Sequence, residues 1–477
     1  MSVAPIGLPY LVQVTGLSME ESAAAVELAD ALGRYNVKNF RANAYYEARH
    51  ALGTPGFTIP QSVADRLAPV CGAPGTVVDV LDERLDLLGW DEVNDAGLDD
   101  LGLSEVFDGN ELDSEASLVH LDALIFGTSF VRVGSGDDGL PLVTMHSPTM
   151  TTGMRDPATR RLRSAWTTLE ATEDGVSRGI LDLPDVSIEV ASRPGGRWFV
   201  VDRDEHGMGR VPVVQLVNKP RTSRPGGQSE ITPAIRSLTE DMMRAALGMN
   251  VNTMFYSIPQ LMILGRGPDA FKDRNGNVVP GWKILAGHAL AIAKDADGDA
   301  PTVHQLQVAS PAPFIEQLRE FRMQVASEAG MPLDYFGIQS ANPSSADAID
   351  RGETRLVKRA ERRQTAFGRA WLEVARLALL VRDGEIPSDF ARRVSVDWMP
   401  AKTPTRAATA DEVTKLVGAG VLRPDSEIVR KRLSLSRAEQ RILDLEQRRA
   451  VGAGVLEGLR AQAQAVAPMM TDARVGG

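Results

Sequence analysis

The sequence predicts an α+β protein built from several compact regions. Three observations carry that expectation. Ala-, Leu- and Glu-rich segments with few breakers lie near both ends of the chain. Between Thr128 and Val217 the texture changes to short β-branched runs separated by Gly, Asp and Pro. After Ala329 a Gly/Pro/Asn/Ser-rich loop opens into one amphipathic helix of nearly forty residues. At 477 residues the chain is too long for one core, and roughly two to four regions are expected.

In chain order, Ser18 followed by Glu21 forms a capping box, and the Ala-rich stretch behind it predicts a helix over 18–52. Tyr35, Phe40, Tyr45 and Tyr46 on that helix read as core packing. Residues 53–75 are a Pro/Gly-punctuated connection, and a second helical region is expected to run to about Phe126. The runs FVRV, PLVTMH, RSAWTTLEA, SRGILDL, DVSIEVA, RWFVVD and VPVVQLV then predict an antiparallel β-region with hairpins. The turn GSGDDG at 134–139 reads as a hairpin tip, since it lacks the Lys-Ser/Thr of a phosphate loop.

Residues 218–230, NKPRTSRPGGQSE, read as a flexible joint. Thr232-Pro233 starts the next helix, with a hydroxyl cap and a proline where no hydrogen bond is lost. Residues 258–310 form a small insert with candidate strands QLMILG, HALAIAK and VHQLQVA, and a helix from about Pro313 to Ala329 follows. Ser344 and Asp347 then suggest a cap for the long helix. Its apolar stripe is Ile349, Leu356, Ala360, Phe367, Trp371, Val374 and Ala378, and its other face carries Arg351, Arg355, Lys358, Arg359, Arg362, Arg363 and Arg369. Such a helix spans roughly 55 Å, far beyond the usual three or four turns. A strand in ARRVSVDWM, helices near 409–420, 424–432 and 436–450, and a frayed Ala/Gln-rich tail complete the chain.

Charge is unevenly spread over a net −11. Between Asp79 and Glu115 stand fourteen acids against Arg84 alone, whereas the chain beyond residue 119 is close to neutral and slightly basic. This balance argues against tight sequence-reading DNA binding. The acidic block reads as a solvated helical surface or as a dock for a basic partner. No apolar window is long enough to span a membrane, and the first residues lack the pattern of a secretion signal. Cys71 is the only cysteine, so no intrachain disulfide forms and a reducing cytoplasm is expected.

Local catalytic signals are missing. The six histidines share no metal-ligand spacing, no Gly-x-Ser-x-Gly elbow appears, and Gly265-Arg-Gly-Pro lacks the rest of a dinucleotide motif. Asp182 and Asp185 sit in a turn-like composition and read as structural. No catalytic residue, cofactor or metal is therefore assigned.

Four stretches carry a family resemblance: Ala123-LIFGTSFVRV with His146-SP, Gly227-QSEITPAIRSLTEDMMRAAL, Pro259-QLMILG, and Glu328-AGMPLDYFGIQSANPSSADAI with Phe367-GRAW. In this order they resemble the portal (head–tail connector) proteins of tailed double-stranded DNA bacteriophages, of the type common in actinobacteriophages. The resemblance covers roughly residues 20–450. It implies a virion protein, not an enzyme, forming a homo-oligomeric ring, typically of twelve subunits, at one capsid vertex. Double-stranded DNA would pass through it without sequence specificity during packaging, retention and ejection. It would dock the large terminase and a head–tail adaptor and meet the major capsid or scaffold protein, with no membrane. Assembly would take place in the host cytoplasm.

The resemblance also implies a division of the chain. Residues 1–225 would be the wing, 226–257 a stem helix, 258–310 the clip and 311–329 the second stem helix. Residues 330–345 would be the tunnel loop, 346–400 the long helix and its return to the wing, and 401–477 the crown and tail. Gln339, Ser340, Asn342 and Ser344 are the candidate channel residues, in a loop with no Lys or Arg. A lumen of that kind holds DNA weakly, since each phosphate contact by a cation adds affinity. Phe336 is expected to pack beneath the loop. Arg355, Arg359, Arg362 and Arg363 are the candidate subunit-interface residues, complementary to the acidic 79–115 of a neighbour, with solvation of the helix or pairing inside one subunit as the alternatives. An enzyme with a site assembled only in three dimensions, or another virion component such as a scaffold or adaptor, are the competing readings.

Overall fold

The computed structural model describes residues 14–52, 69–92, 101–136, 139–172, 175–192, 198–256, 261–264, 302–305, 310–338, 346–402, 406–424 and 426–433, with isolated positions at 67 and between 435 and 449. Contacts divide the chain into two units, 1–401 and 402–477.

The first unit begins with β1 (Val14–Thr15) and α1 (Met19–Tyr46). The capping box is formed: Glu21 N–H donates to Ser18 Oγ and Ser18 N–H to Glu21 Oε2. Next come α2 (Ala73–Asp82), β2 (Leu87–Glu92), α3 (Leu103–Gly109) and α4 (Leu112–Phe126). The expected unbroken helical region to Phe126 is thus corrected. Leu87–Glu92 is a strand because it pairs antiparallel with a strand some three hundred residues later, a partner no local window reveals.

Eight strands follow: β3 (Thr128–Ser135), β4 (Pro141–His146), β5 (Thr151–Arg155), β6 (Leu162–Thr172), β7 (Gly175–Asp182), β8 (Ser187–Ser192), β9 (Trp198–Asp204) and β10 (Val213–Val217). They make two sheets, of order β1-β9-β8-β7-β6-β5 and β10-β3-β4. All pairs are antiparallel except β1 with β9. The antiparallel hairpin region is as the alternation predicts, with β1 and β5 added.

The helix α5 (Pro233–Tyr256) starts at the Thr232 hydroxyl, which accepts from Ile235 N–H at 3.3 Å. It packs against α6 (Ala312–Ala329). Between them β11 (Leu261–Leu264) and β12 (Thr302–Gln305) form an antiparallel pair. The candidate strand HALAIAK lies outside the described residues. A 3₁₀ turn (Leu333–Phe336) leads toward α7 (Ala346–Asp383), 38 residues long. Then α8 (Phe390–Arg393) leads into β13 (Val394–Trp398), the partner of β2. In the second unit α9 (Arg406–Gly418) and α10 (Glu427–Arg432) are described, and the tail beyond 449 lies outside.

Besides a small cluster of Phe130, Ala165, Val211 and Val213, two larger cores form in the first unit. In one, Ala25, Leu28 and Leu32 of α1 share a helical face and bury against Trp166, Leu181, Ile188, Val190 and Trp198 of the six-stranded sheet. The two indoles meet edge to face at 6.1 Å. The other core surrounds α7, whose Leu356, Ala360, Phe367, Trp371 and Val374 are fully buried. Tyr35 of α1, expected to pack in a core, is instead 53% exposed and joins neither of them.

The junction of α4, β3 and the 218–230 segment depends on two glycines in left-handed backbone, Gly127 (φ +94) and Gly227 (φ +80). A Cβ on Gly227 would lie 2.3 Å from the Gly127 carbonyl oxygen and 2.5 Å from that of Asn218. Both obstacles are backbone and cannot swing aside. Gly227→Ala is therefore expected to destabilise the unit by more than the roughly 1–2 kcal/mol that left-handed backbone alone costs. Gly207 (φ +60) has open space around its Cβ position and serves as the control. Equal shifts of the denaturation midpoint for Gly227→Ala and Gly207→Ala would refute the packing argument.

Candidate channel segment and its arginine-rich support helix

From Leu356 onward the stripe predicted for α7 faces the core, and the described arginines behind it divide into two kinds. Arg355 and Arg362 are exposed, and Arg355 Nη1 reaches only the Ser327 carbonyl at 3.4 Å. Arg359 and Arg363 are instead drawn in to Glu230, which is fully buried. Arg359 Nη2 donates to Glu230 Oε2 and Arg363 Nη2 to Oε1, each at 2.6 Å. Lys219 Nζ also donates to Oε2 at 2.5 Å, and Asn218 Nδ2 to Oε1 at 3.1 Å. The expectation that Arg359 and Arg363 face a neighbour's acids gives way to pairing within the chain. A buried carboxylate needs cations more than an exposed acidic surface does.

Burial by itself raises the pKa of Glu230, but the charges of Arg363, Lys219 and Arg359 outweigh it and hold the carboxyl down at about 2. The segment 218–230, which read as a flexible joint, is accordingly pinned. Asn218 N–H donates to the Gly127 carbonyl, Glu230 N–H to Leu124, and Ser229 Oγ to Ile125. Where the chain leaves β10 and enters α5, it is locked both to α4 and to the middle of α7.

The root of the loop before α7 is also fixed. Phe336 is buried in the α7 core, as expected, together with Met331; Ile338 is also buried, while Leu333 is 40% exposed. Tyr335 Oη donates to Glu353 Oε1 at 3.2 Å, and Arg84 Nη2 donates to both Tyr335 Oη (2.9 Å) and Glu353 Oε1 (3.3 Å). Arg84 Nη1 donates to the Ala401 carbonyl at 2.8 Å. The single basic residue of the acidic block therefore joins the loop root, the first turns of α7 and the end of the unit. Gln339, Ser340, Asn342 and Ser344, the candidate channel residues, lie outside the described residues, as does the Ser344 cap.

The acidic block is partly internal. Glu92 pairs with Arg393 and accepts from Leu101 N–H, and Asp79 accepts from Tyr46 Oη. Burial, then the neighbouring charges of Asp79, Asp86 and Glu83, raise the Asp82 carboxyl to about 7. Its Oδ1 is buried without a hydrogen-bond partner. Because its folded pKa lies above its ordinary 3.8, the folded state holds a proton that the unfolded state gives up. Stability from this site therefore falls as pH rises from about 4 to about 7 and is lowest above that. Asp82→Asn keeps the neutral shape and is expected to raise the melting temperature at pH 8 but not at pH 4. An equal gain at both pH values would show that ionisation is not the cause.

Among the described residues, no group of three or more His, Cys, Asp or Glu side chains is placed to hold a metal. Asp182, one of the two acids weighed for catalysis, accepts from Arg132 and from Ser187 Oγ in a fully buried position. Asp185 accepts from Gly209 N–H. His120 is buried, and burial lowers it to about 3, so its neutral ring accepts the Trp371 indole N–H at 2.8 Å. Each of these groups is occupied in holding elements together.

Comparison with known proteins now meets this geometry. The family model for phage portal proteins of the SPP1 Gp6-like type matches residues 38–452. The portal protein of Mycobacterium phage D29 is 33% identical over 435 residues, covering 88% of this chain and 87% of its own length. That of Mycobacterium phage L5 is 33% identical over 386 residues, covering 79% and 78%. Among solved structures, the neck of a native GTA particle computed with C12 symmetry aligns with TM-score 0.44 at 14% identity, over 79% of this chain and 93% of that one. The match spans every strand from β2 to β13, the α5–α6 pair and the whole of α7. The chain belongs to the phage portal protein family of the SPP1 Gp6-like type.

Proposed function

We propose that the chain assembles into a closed ring, of twelve subunits, at the unique capsid vertex, and that this ring is the channel for packaging, retaining and releasing the genome. The observation that carries the reading is the 330–345 segment between α6 and α7. Its root is fixed by Phe336, Tyr335 and Arg84, while its sequence to Ser345 contains no Lys or Arg. A segment held firmly at its base and without cations toward DNA can sit at a constriction without gripping phosphates. Gln339, Ser340, Asn342 and Ser344 are the residues placed nearest the DNA in this reading.

The remaining parts follow. Residues 1–225 form the wing, α5 and α6 the stem, and β11–β12 belong to the clip of residues 258–310. Residues 346–400 are the long helix with its return to the wing, and residues 401–477 the crown. The clip docks the large terminase and later the head–tail adaptor, and the outer surface meets the major capsid or scaffold protein. The role is structural, with hydrolysis left to the motor, and assembly takes place in the host cytoplasm. Arg355 and Arg362, exposed on α7, remain interface candidates.

Negative-stain microscopy of the purified chain tests this. A closed ring with an axial hole is expected. A discrete monomer or dimer that turns over a small molecule would contradict it.

A further inference from the structure

A cleft of about 610 Å³ opens where the β5–β6 hairpin, the 209–217 strand and the middle of α7 meet. Six arginines line it: Arg155, Arg160, Arg161, Arg163, Arg210 and Arg369. Among the described residues, the acids in its wall are Asp156 and Glu373. Asp156 is taken up by its own turn, accepting from Ala158 N–H and Thr159 Oγ1. Glu373 is shared by Arg210, Arg161 and Arg376. Arg160 and Arg369 are exposed and have no acidic partner among the described residues. Arg155 Nε is buried with no hydrogen-bond partner. The floor is apolar, with Leu162, Val213 and Ala370. Such a cleft, cationic at the rim and greasy at the base, fits an anionic surface carrying an apolar knob.

The same chain presents such a surface. At the corner of α3 and α4, Glu105, Glu111, Asp113 and Glu115 are exposed and have no ion pair among the described residues. Glu115 and Leu118, three apart, share one face of α4, and Glu111 stands just before them as the N-cap, in left-handed backbone (φ +50). Leu118 is 53% exposed, whereas the other leucines, valine and isoleucine of α4 are buried or half-buried.

Among the described residues the two surfaces make no ion pair with each other, and they are built on different edges of one sheet. The cleft is built on β10, one edge of the three-stranded sheet, and the corner is fastened to β4, the other edge. Asn110 Nδ2 donates to the Pro141 carbonyl and Asn110 Oδ1 accepts from Val143 N–H, fixing the corner there. Complementary patches on opposite edges are what a head-to-tail contact requires, since each copy offers one patch to each neighbour. We infer that the arginine cleft of one subunit receives the Glu111–Glu115–Leu118 corner of the adjacent copy of this chain. This rests on the ring reading and adds to it a register between neighbouring subunits. Nucleic-acid phosphates are the rival occupant. The apolar floor and the unpaired acidic corner both favour a second copy.

Charge exchange tests it. Arg160→Glu with Arg369→Glu makes the cleft anionic, and Glu111→Arg with Glu115→Arg makes the corner cationic. All four residues are exposed and unpaired, so the monomer should melt as wild type. By sedimentation velocity at low salt, each double variant alone is expected to lose ring formation by roughly tenfold or more, because like charges then face each other. Mixed in equal amounts the two are expected to regain it. In an alternating ring every contact again joins opposite charges. Rings formed by both variants alone at wild-type yield, or no recovery in the mixture, would overturn the inference while leaving the ring reading intact. Normal rings from the cleft variant with lost DNA binding would assign the cleft to nucleic acid and overturn it as well. A wild-type chain that forms no ring would refute both readings.

Discussion

Glu230→Ala is expected to destabilise the 1–401 unit by about 3–5 kcal/mol, the range found when one partner of a buried ion cluster is removed. The variant leaves Lys219, Arg359 and Arg363 around an empty site, two of them already largely desolvated. It also frees the 218–230 segment from α7, so loss of α7 protection in hydrogen exchange should accompany the shift in denaturation midpoint. Glu230→Gln keeps the shape but not the charge, and should recover only a small part. Replacing the carboxylate and all three cations with apolar residues of similar size should cost far less than Glu230→Ala alone. If that fourfold variant is the less stable one, the cluster owes its role to something other than charge compensation. The pH dependence has a definite sign. The folded pKa of Glu230 is held below its ordinary 4.5, so its contribution is complete above that pH and is lost as pH falls toward about 2.

Trp371→Ala is the second large effect, with an expected loss of about 3–5 kcal/mol for emptying a buried aromatic site. The indole is fully buried, meets Trp90 edge to face, and its backbone carbonyl accepts the Trp90 N–H at 3.1 Å. Its own N–H reaches His120, which stacks on Phe367. Trp371→Phe separates these contributions. It preserves part of the volume but leaves the His120 acceptor unpaired, a cost of about 1–3 kcal/mol. Chemical denaturation followed by the fluorescence of the remaining tryptophans reads both. A Phe variant as stable as wild type would show that the hydrogen bond to His120 contributes nothing.

Much of the fold was legible because its signals are local. Ser18 and Glu21 are three residues apart, the α7 stripe repeats within its own helix, and β6 to β10 alternate within single runs. What was not legible depends on partners remote in sequence. Leu87–Glu92 looks like the middle of a helical region until β13 supplies its ladder. Glu230 lies in a Gly/Ser-rich stretch that reads as a joint, and its arginines stand 129 and 133 residues away. Charge counting found the basic face of α7 and the acidic 79–115, but not which arginines turn inward. That depends on helical phase: Arg359 and Arg363, four apart, share the edge of the buried stripe, while Arg355 and Arg362 point away from it. The arginine cleft was missed because its residues come from three separate stretches of chain.

The central claim is that residues 330–345 line the axis of a ring. On a Cys71→Ser background, which removes the one native thiol, Ser340→Cys and Val201→Cys place single probes at the loop and at an exposed position of β9. Gold or nitroxide labels at Ser340→Cys should cluster within the central hole in electron micrographs of assembled rings, with short inter-label distances, while those at Val201→Cys should mark the circumference. Loop labels found at the outer edge, or assemblies in which the two positions lie at equal radius, would contradict the account.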